Sequence, residues 1–428
     1  MDKKVVDSIS SSFCAAKWTQ VTIDLQHGMN HSCHHPIRHS IPAKELKENI
    51  SALHNTKFKK KQRRKMLEGS RPRECSYCWN IEDASVNNIS DRYIKSNDSW
   101  SLPYIDEISQ LSWTSDYKPK YLEVMFSNTC NLSCSYCMAH VSSSIDEEMR
   151  KYGPYPVKDR VTKRHRQYGA KRPSKDKDLY INAFWRWLPT IYKELRYLRL
   201  TGGEPLLDSN LDKLLDYMLE NPHDDLVFSC NSNLCFTGKR LDLFFSKIAL
   251  LTKRTNINVE LYTSLDAYGE HAEYIRAGLN YSLVKENILK YIKLFPKQKI
   301  VIMCCYNILS IDSFSRFIED VSLLKKEGQV ILDISYLKDP AYLNAKICSK
   351  DQLLKIKESI ELMKKLNFLS FEIDKLMRIY LLLKSLKEQQ NKFSSETRDF
   401  KLFVKEYDRR KNKDFSLVFK KNLEDFLV

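Results

Sequence analysis

From about residue 118 onward, short apolar runs alternate six times with amphipathic stretches, and this alternation constrains the fold more than any other feature. A run that buries both faces, followed by a helix that buries one, is the pattern of βα units feeding a parallel sheet. The predicted strands are residues 121–126, 197–201, 226–230, 259–264, 300–305 and 330–336. Between them, Leu211, Leu214, Leu215, Met218 and Leu219 keep helical spacing behind Asp208-Ser209-Asn210. Val284, Ile288, Tyr291, Ile292 and Phe295 do likewise, which marks outer helices. The expected class is α/β. Six units are too few for a closed eight-stranded barrel and suit an open, partial six-stranded (β/α)6 barrel, whose reactive centre belongs at the C-terminal strand ends.

That barrel is expected over residues 116–345, with a cysteine-rich N-terminal domain over 1–115 and a helical region over 346–428. In the last region Leu353, Ile356, Ile360 and Met363 share a face, and a structural or partner-binding cap is expected. A long polar stretch, residues 142–178, carries Arg160, Lys163, Arg164, His165, Arg166 and Lys171. Its length fits either a basic excursion or a substrate-contacting insertion.

At 428 residues, 43% hydrophobic and 11% aromatic, the chain can bury a sizeable core, which excludes a disulfide-stapled miniprotein and wholesale disorder. No uncharged apolar run approaches the roughly 18–20 residues a membrane span needs, and the start lacks the apolar centre of a secretory signal. A soluble cytoplasmic protein with no membrane partner is the expectation. The net charge of +16 favours anionic partners such as nucleic acid, nucleotides or acidic peptides, but lysines spread along solvated helices explain it equally well. The densest run, residues 57–65, resembles no specific base reader.

Twelve cysteines without a leader imply a reducing compartment, where clustered thiols more often bind metal than pair. Cys130, Cys134 and Cys137 follow the first predicted strand, with three and two residues between them. Three thiolates so spaced can hold a four-iron four-sulfur cluster and leave one iron open to an outside chelator. A structural zinc wants four ligands and would need His140 or another residue.

This arrangement, with Tyr136 just before the last cysteine, resembles the signature of the radical S-adenosylmethionine (radical SAM) enzymes. The resemblance implies that the open iron holds the amino and carboxylate groups of SAM. Reductive cleavage then yields a 5′-deoxyadenosyl radical, with Tyr136 lying against the adenine. At the end of the second strand, Thr201-Gly202-Gly203-Glu204-Pro205 is similar to the family's SAM amino-group motif: the glycines allow close backbone approach and Glu204 accepts from the ammonium. Asn231 stands in a polar turn the family often places near SAM, although Ser232 replaces its glycine. Ser264 and Arg276 resemble the serine and arginine that take the SAM carboxylate in peptide-modifying relatives, with Ala267 in place of a glycine. Asn307 reads either as a ribose contact or as a turn residue.

Four cysteines precede the barrel: Cys14, Cys33, Cys75 and Cys78. Four thiolates suit a fully ligated iron–sulfur cluster or a tetrahedral zinc. Residues 18–24, alternating before His27-Gly28, read as a hairpin that holds Cys14 near Cys33. Cys-x13-Gly-x4-Cys followed by Cys-x2-Cys resembles the SPASM/Twitch auxiliary-cluster module, here preceding the barrel rather than following it. Neighbouring His34 and His35 are either substitute ligands or turn residues. Cys230, Cys235, Cys304, Cys305 and Cys348 show no ligand spacing.

By resemblance, the chain is expected to be a radical SAM oxidoreductase that takes hydrogen from a peptide or protein side chain, leading to oxidation or cross-linking. It would use an auxiliary cluster and an external electron donor such as flavodoxin or ferredoxin. A nucleotide, sugar or nucleic-acid substrate is the first alternative, and a non-catalytic zinc or iron–sulfur module binding nucleic acid is the second.

Overall fold

A computed structural model of the chain describes residues 3–85, 88–158, 176–389 and 393–427. Its strands, in chain order, are β1 (Gln20–Asp24), β2 (Met29–His31), β3 (His39–Ser40), β4 (Tyr121–Met125), β5 (Ser133–Cys134), β6 (Tyr197–Thr201), β7 (Val227–Ser232), β8 (Asn258–Ser264), β9 (Arg276–Ala277), β10 (Lys299–Tyr306) and β11 (Val330–Tyr336). Nine of these build one sheet, in the order β11-β10-β8-β7-β6-β4-β1-β2-β3, and β5 pairs with β9 apart from it.

Every neighbouring pair from β11 to β1 is parallel. All six predicted strands are present, four of them with shifted ends. β7 runs on to Ser232 because Asn231 and Ser232 pair with Tyr262 and Thr263. The helices between the strands form as their patterns require. Asp208 caps Ser209–Glu220 by accepting from the Asn210 N–H, and that helix buries Leu211, Leu214, Leu215 and Met218. Asn280 caps Tyr281–Leu294, which buries Val284, Ile288, Tyr291 and Ile292.

The sheet crosses the boundary expected near residue 116. β1 pairs with β2 as the predicted hairpin, but its other edge lies parallel to β4, with Val21 beside Leu122 and Ile23 beside Val124. A seventh parallel strand therefore comes from the N-terminal region. It is buried on both faces, as strands inside a covered parallel sheet are. The rest of the region has a separate small core of Val6, Phe13, Trp18, Met66, Trp79, Tyr93 and Ile108, against which Cys14 and Cys75 pack.

The expected polar stretch after the cysteines begins with a helix, Ser143–Tyr152, capped by the Ser142 hydroxyl. Arg160, Lys163, Arg164, His165, Arg166 and Lys171 lie outside the described residues.

The C-terminal helices pack on the same large core as the sheet, with Ile356, Ile360 and Met363 buried on one face as predicted. Glu372 fastens helix Ser370–Glu388 to the last strand, accepting from the Leu332 N–H at 2.7 Å and from Lys325 Nζ at 2.8 Å. Helix Ser394–Lys411 reaches further. Asp408 accepts from the Tyr274 hydroxyl at 2.7 Å, and Arg410 donates to the Gly153 carbonyl at 2.9 Å. It thus ties down both the segment after the cysteine triplet and the segment before Arg276. Among the described residues, no helix is long and apolar enough to cross a membrane.

Candidate functional site

The cysteine triplet follows β4 at the C-terminal end of the parallel strands, in a loop held from three directions. On one side, Gln26 of the β1–β2 turn accepts from the Asn128 N–H at 2.7 Å. On another, Ser143 and Ser144 grip the backbone of Cys130, the first accepting from its N–H at 3.1 Å and the second donating to its carbonyl at 2.6 Å. On the third, β5 and β9 form a short antiparallel ladder that sets Cys134 opposite Arg276, with the Ser135 N–H donating to the Ile275 carbonyl at 2.7 Å.

The Gly202-Gly203 turn meets this loop directly. A Cβ on Gly202 would lie 2.7 Å from the Ser127 carbonyl oxygen, and one on Gly203 would overlap the carbonyls of Thr129 and Asn128. The close backbone approach expected toward a ligand is thus, in this chain, an approach to the loop carrying Cys130. The Glu204 N–H completes the contact by donating to the Thr129 carbonyl at 2.7 Å. Only glycine fits, and Gly202 also sits at φ +131°.

The Glu204 carboxylate is buried, accepting from the Asn233 N–H at 2.7 Å and the Leu206 N–H at 3.1 Å. Burial pushes its pKa up to about 7, against these hydrogen bonds. Glu204 also lies within electrostatic reach of Cys130. Thr201 donates to Glu123 at 3.3 Å, and Pro205 opens a short 3-10 turn. Asn231 is already engaged, accepting from Arg199 Nε and Nη2 at 3.2 and 3.0 Å. Arg199 lies over the Tyr262 ring at 4.2 Å and had no sequence signal of its own.

Two residues expected to contact SAM both donate to Asp266. Arg276, expected to take a carboxylate from outside, gives its Nε and Nη2 to Asp266 at 2.8 and 3.1 Å. Tyr136 also donates to Asp266, at 2.9 Å, with the Arg276 guanidinium 5.4 Å from its ring centre. Asn307 is fully buried: its amide donates to the Cys305 carbonyl at 2.8 Å and accepts from the Leu309 N–H at 3.0 Å. Both contacts tie the Asn307 side chain to its own turn. Ser264 ends β8 half-buried, opposite Met303.

Burial raises the Cys130 thiol to about 11 and that of Cys134 as well, with the Arg276 cation acting against the second shift. Such thiols stay protonated until a cation replaces the proton. The donor set fits an iron–sulfur cluster: Cys130, Cys134 and Cys137 are soft ligands on one backbone-anchored loop, with a fixed cation beside the middle one.

The N-terminal cysteines converge from segments far apart in sequence. The β1–β2 hairpin brings Cys33 back toward Cys14, and Cys75 and Cys78 come from the turn Arg73–Cys75 and the start of helix Ser76–Ala84. All four line one cavity, together with Lys17, His35, Asp91 and Arg92. Every pairing among the four thiols lies within electrostatic reach. Burial raises all four, Cys33 and Cys78 to about 12. Lys17 is buried there in an ion pair with Glu74, and the nearby Cys75 helps hold it protonated. Four soft donors with a buried ammonium and a guanidinium beside them fit an anionic metal–thiolate centre. Among the described residues, no three His, Cys, Asp or Glu side chains converge tightly enough to hold a single bare metal ion.

His35 lines the same cavity, but its Nε2 is 2.5 Å from Asp91 Oδ2 and its ring stacks on Tyr77 at 3.6 Å. Lys338, just past β11, lies over the other ring of that pair, 5.2 Å from the Tyr77 centre. The N-terminal region thus forms one edge of the sheet, through β1, β2 and β3, and meets the segment just past β11 through Tyr77. His34 lies within electrostatic reach of Glu123 and Arg199.

A sequence model of the family described as Radical SAM superfamily matches residues 124–321. GTP 3′,8-cyclase of Syntrophomonas wolfei subsp. wolfei is 29% identical over 178 residues, which are 41% of this chain and 43% of that protein. The chain therefore matches less than half the length of that curated relative. Among solved structures, native anSMEcpe with bound AdoMet is similar at a TM-score of 0.35 and 16% identity, covering 57% of this chain and 61% of that one. Streptococcus suis SuiB is similar at a TM-score of 0.38 and 14% identity, covering 82% of this chain and 69% of that one.

Proposed function

We propose that this chain, a radical SAM superfamily enzyme by its residues 124–321, abstracts hydrogen from a peptide or protein side chain to oxidise or cross-link it. When bound at Cys130, Cys134 and Cys137, a four-iron four-sulfur cluster supplies the electron that cleaves SAM to a 5′-deoxyadenosyl radical. The chain's own residues place that cofactor. Gly202 and Gly203 press the strand-end turn against the cysteine loop, and Glu204, near Cys130, is the residue assigned to the methionyl ammonium. Thr201 and Pro205 shape the same turn, Ser264 offers a hydroxyl at a neighbouring strand end, and Tyr136 supplies a flat ring for the adenine. Asn231 acts through Arg199.

The auxiliary site is proposed at Cys14, Cys33, Cys75 and Cys78, as a Twitch-like module with a fully ligated iron–sulfur cluster. The observation that carries it is the convergence of all four thiols on one cavity beside a buried Lys17. With every thiolate supplied by the chain, electron acceptance suits this site better than substrate ligation. Reduction is assigned to an external flavodoxin or ferredoxin, and the setting to the cytoplasm.

One observation favours a second reading. The identity shared with a GTP 3′,8-cyclase over 178 residues supports a nucleotide substrate, and the charge of +16 agrees with it. The test is anaerobic 5′-deoxyadenosine release with SAM and dithionite, comparing reconstituted wild type with Cys130→Ala/Cys134→Ala/Cys137→Ala. Release by the wild type alone supports the reading, and equal, negligible release from a cluster-loaded wild type counts against it. Consumption of GTP in the same assay would move the substrate to the second reading.

A further inference from the structure

Arg276 is set apart from the other cations near the triplet by what each face of its guanidinium touches. One edge, Nε with Nη2, is closed by Asp266 in a two-pronged pair. The remaining nitrogen, Nη1, lies 3.6 Å from Cys134 Sγ, within hydrogen-bond range for sulfur. Asp266 is itself fully buried and fully committed, taking Tyr136 Oη at 2.9 Å and the Cys305 N–H at 2.8 Å besides the arginine. The β5–β9 ladder fixes the backbones of Cys134 and Arg276 opposite each other, so the contact does not depend on side-chain rotamers alone. A planar fork satisfied along one edge cannot offer that edge to a second carboxylate.

We infer that Arg276 is a positioning residue for the cluster, donating to the Cys134 sulfur and stabilising its thiolate, and that Asp266 aims it there instead of leaving it free to clamp the carboxylate of SAM. This rests on the proposed cluster at the triplet. A hydrogen bond and positive charge at a ligating sulfur stabilise the more negative, reduced cluster and so raise its reduction potential. The carboxylate of Asp266, one group further away, partly offsets that charge.

Losing either the guanidinium or the carboxylate that aims it should therefore weaken the contact at Cys134. Reconstituted full-length wild type, Arg276→Gln and Asp266→Asn would be compared by redox titration followed by electron paramagnetic resonance, and by equilibrium binding of SAM. Arg276→Gln should move the potential in the negative direction and alter the reduced-cluster spectrum, with SAM affinity changed less than about threefold. Asp266→Asn should move the potential in the same direction by less, because the guanidinium loses its aim while the removed negative charge partly compensates. Arg276→Lys, which keeps the charge but lacks the fork, should fall between wild type and Arg276→Gln, and it carries the test if the glutamine variant does not fold. Unchanged potential and spectrum in Arg276→Gln, or in Arg276→Lys where it stands in, together with more than tenfold weaker SAM binding, would overturn the inference in favour of a carboxylate clamp. A wild-type potential and spectrum in Asp266→Asn would overturn the aiming role of that carboxylate. A wild type that assembles no cluster at the triplet would instead strike the proposed function itself, and the inference with it.

Discussion

The imidazole of His35 and the phenol of Tyr77 stack at 3.6 Å, nearly parallel, with their planes 11° apart. This contact joins the segment that carries Cys33 to the segment that carries Cys75 and Cys78. It does so at the rim of the cavity the four thiols line.

Cys33 lies in the proposed auxiliary site and so tests it apart from the proposed SAM-binding triplet. Cys33→Ala should lower iron content to roughly half that of the reconstituted wild type, if both sites hold clusters of the same size. SAM cleavage should survive and product formation should stop. Iron analysis with product and 5′-deoxyadenosine quantified in one reaction checks this, and unchanged product yield would defeat the electron-transfer assignment.

Gly203 tests the cysteine loop from the other side. Gly203→Ala forces a methyl group against the carbonyls of Asn128 and Thr129, an overpacking that costs about 1–3 kcal/mol. Because the strained contact is with the loop and not the core, iron should be lost from the triplet while Cys14, Cys33, Cys75 and Cys78 keep theirs. Iron counts on Gly203→Ala with and without Cys33→Ala separate the two sites.

Stability should fall on the acid side of neutrality. Burial holds His39 neutral, lowering its pKa to about 3, and pushes that of buried His54 well below the usual value, with Lys59 reinforcing both. The unfolded chain takes up these protons below about pH 6.5, so unfolding is favoured as pH drops from there toward 3. The ceiling is about 1.4 kcal/mol per pH unit for each histidine. Urea unfolding at pH 7.5 and pH 5, with thiols reduced, reads the slope. His39→Asn should flatten it, and an unchanged slope would place the acid sensitivity elsewhere.

Glu372 should matter more to stability than its place outside the sheet suggests. It is fully buried and accepts from the Leu332 and Leu369 N–H groups, both at 2.7 Å, as well as from Lys325. Removing it with Glu372→Ala leaves two buried backbone donors unsatisfied and takes the counter-charge from Lys325, which keeps the Val330 carbonyl, at a cost of about 3–5 kcal/mol. Denaturation should show this loss, with cluster assembly at 20 °C far less affected. A loss below about 1 kcal/mol would mean that water replaces the carboxylate.

Much of this architecture is local, and local features were legible in the chain. Runs such as Tyr197–Thr201 and Val330–Tyr336 declare strands because their apolar pattern needs cover whatever the neighbours are. The hairpin of β1 and β2 is local for the same reason, and the triplet spacing alone sets three thiols on one loop. Pairing partners distant in sequence are another matter. That β1 lies parallel to β4, that Cys14 and Cys78 meet at one cavity, and that Asp266 occupies the fork of Arg276 are decided by which buried groups find one another. The glycine pair shows the division most clearly: sequence announced a backbone approach at Gly202-Gly203, and only tertiary structure decided that the approaching atoms belong to the loop of Cys130. Periodicity records how much of a residue is covered, whereas the identity of what covers it depends on long-range packing that leaves no local trace.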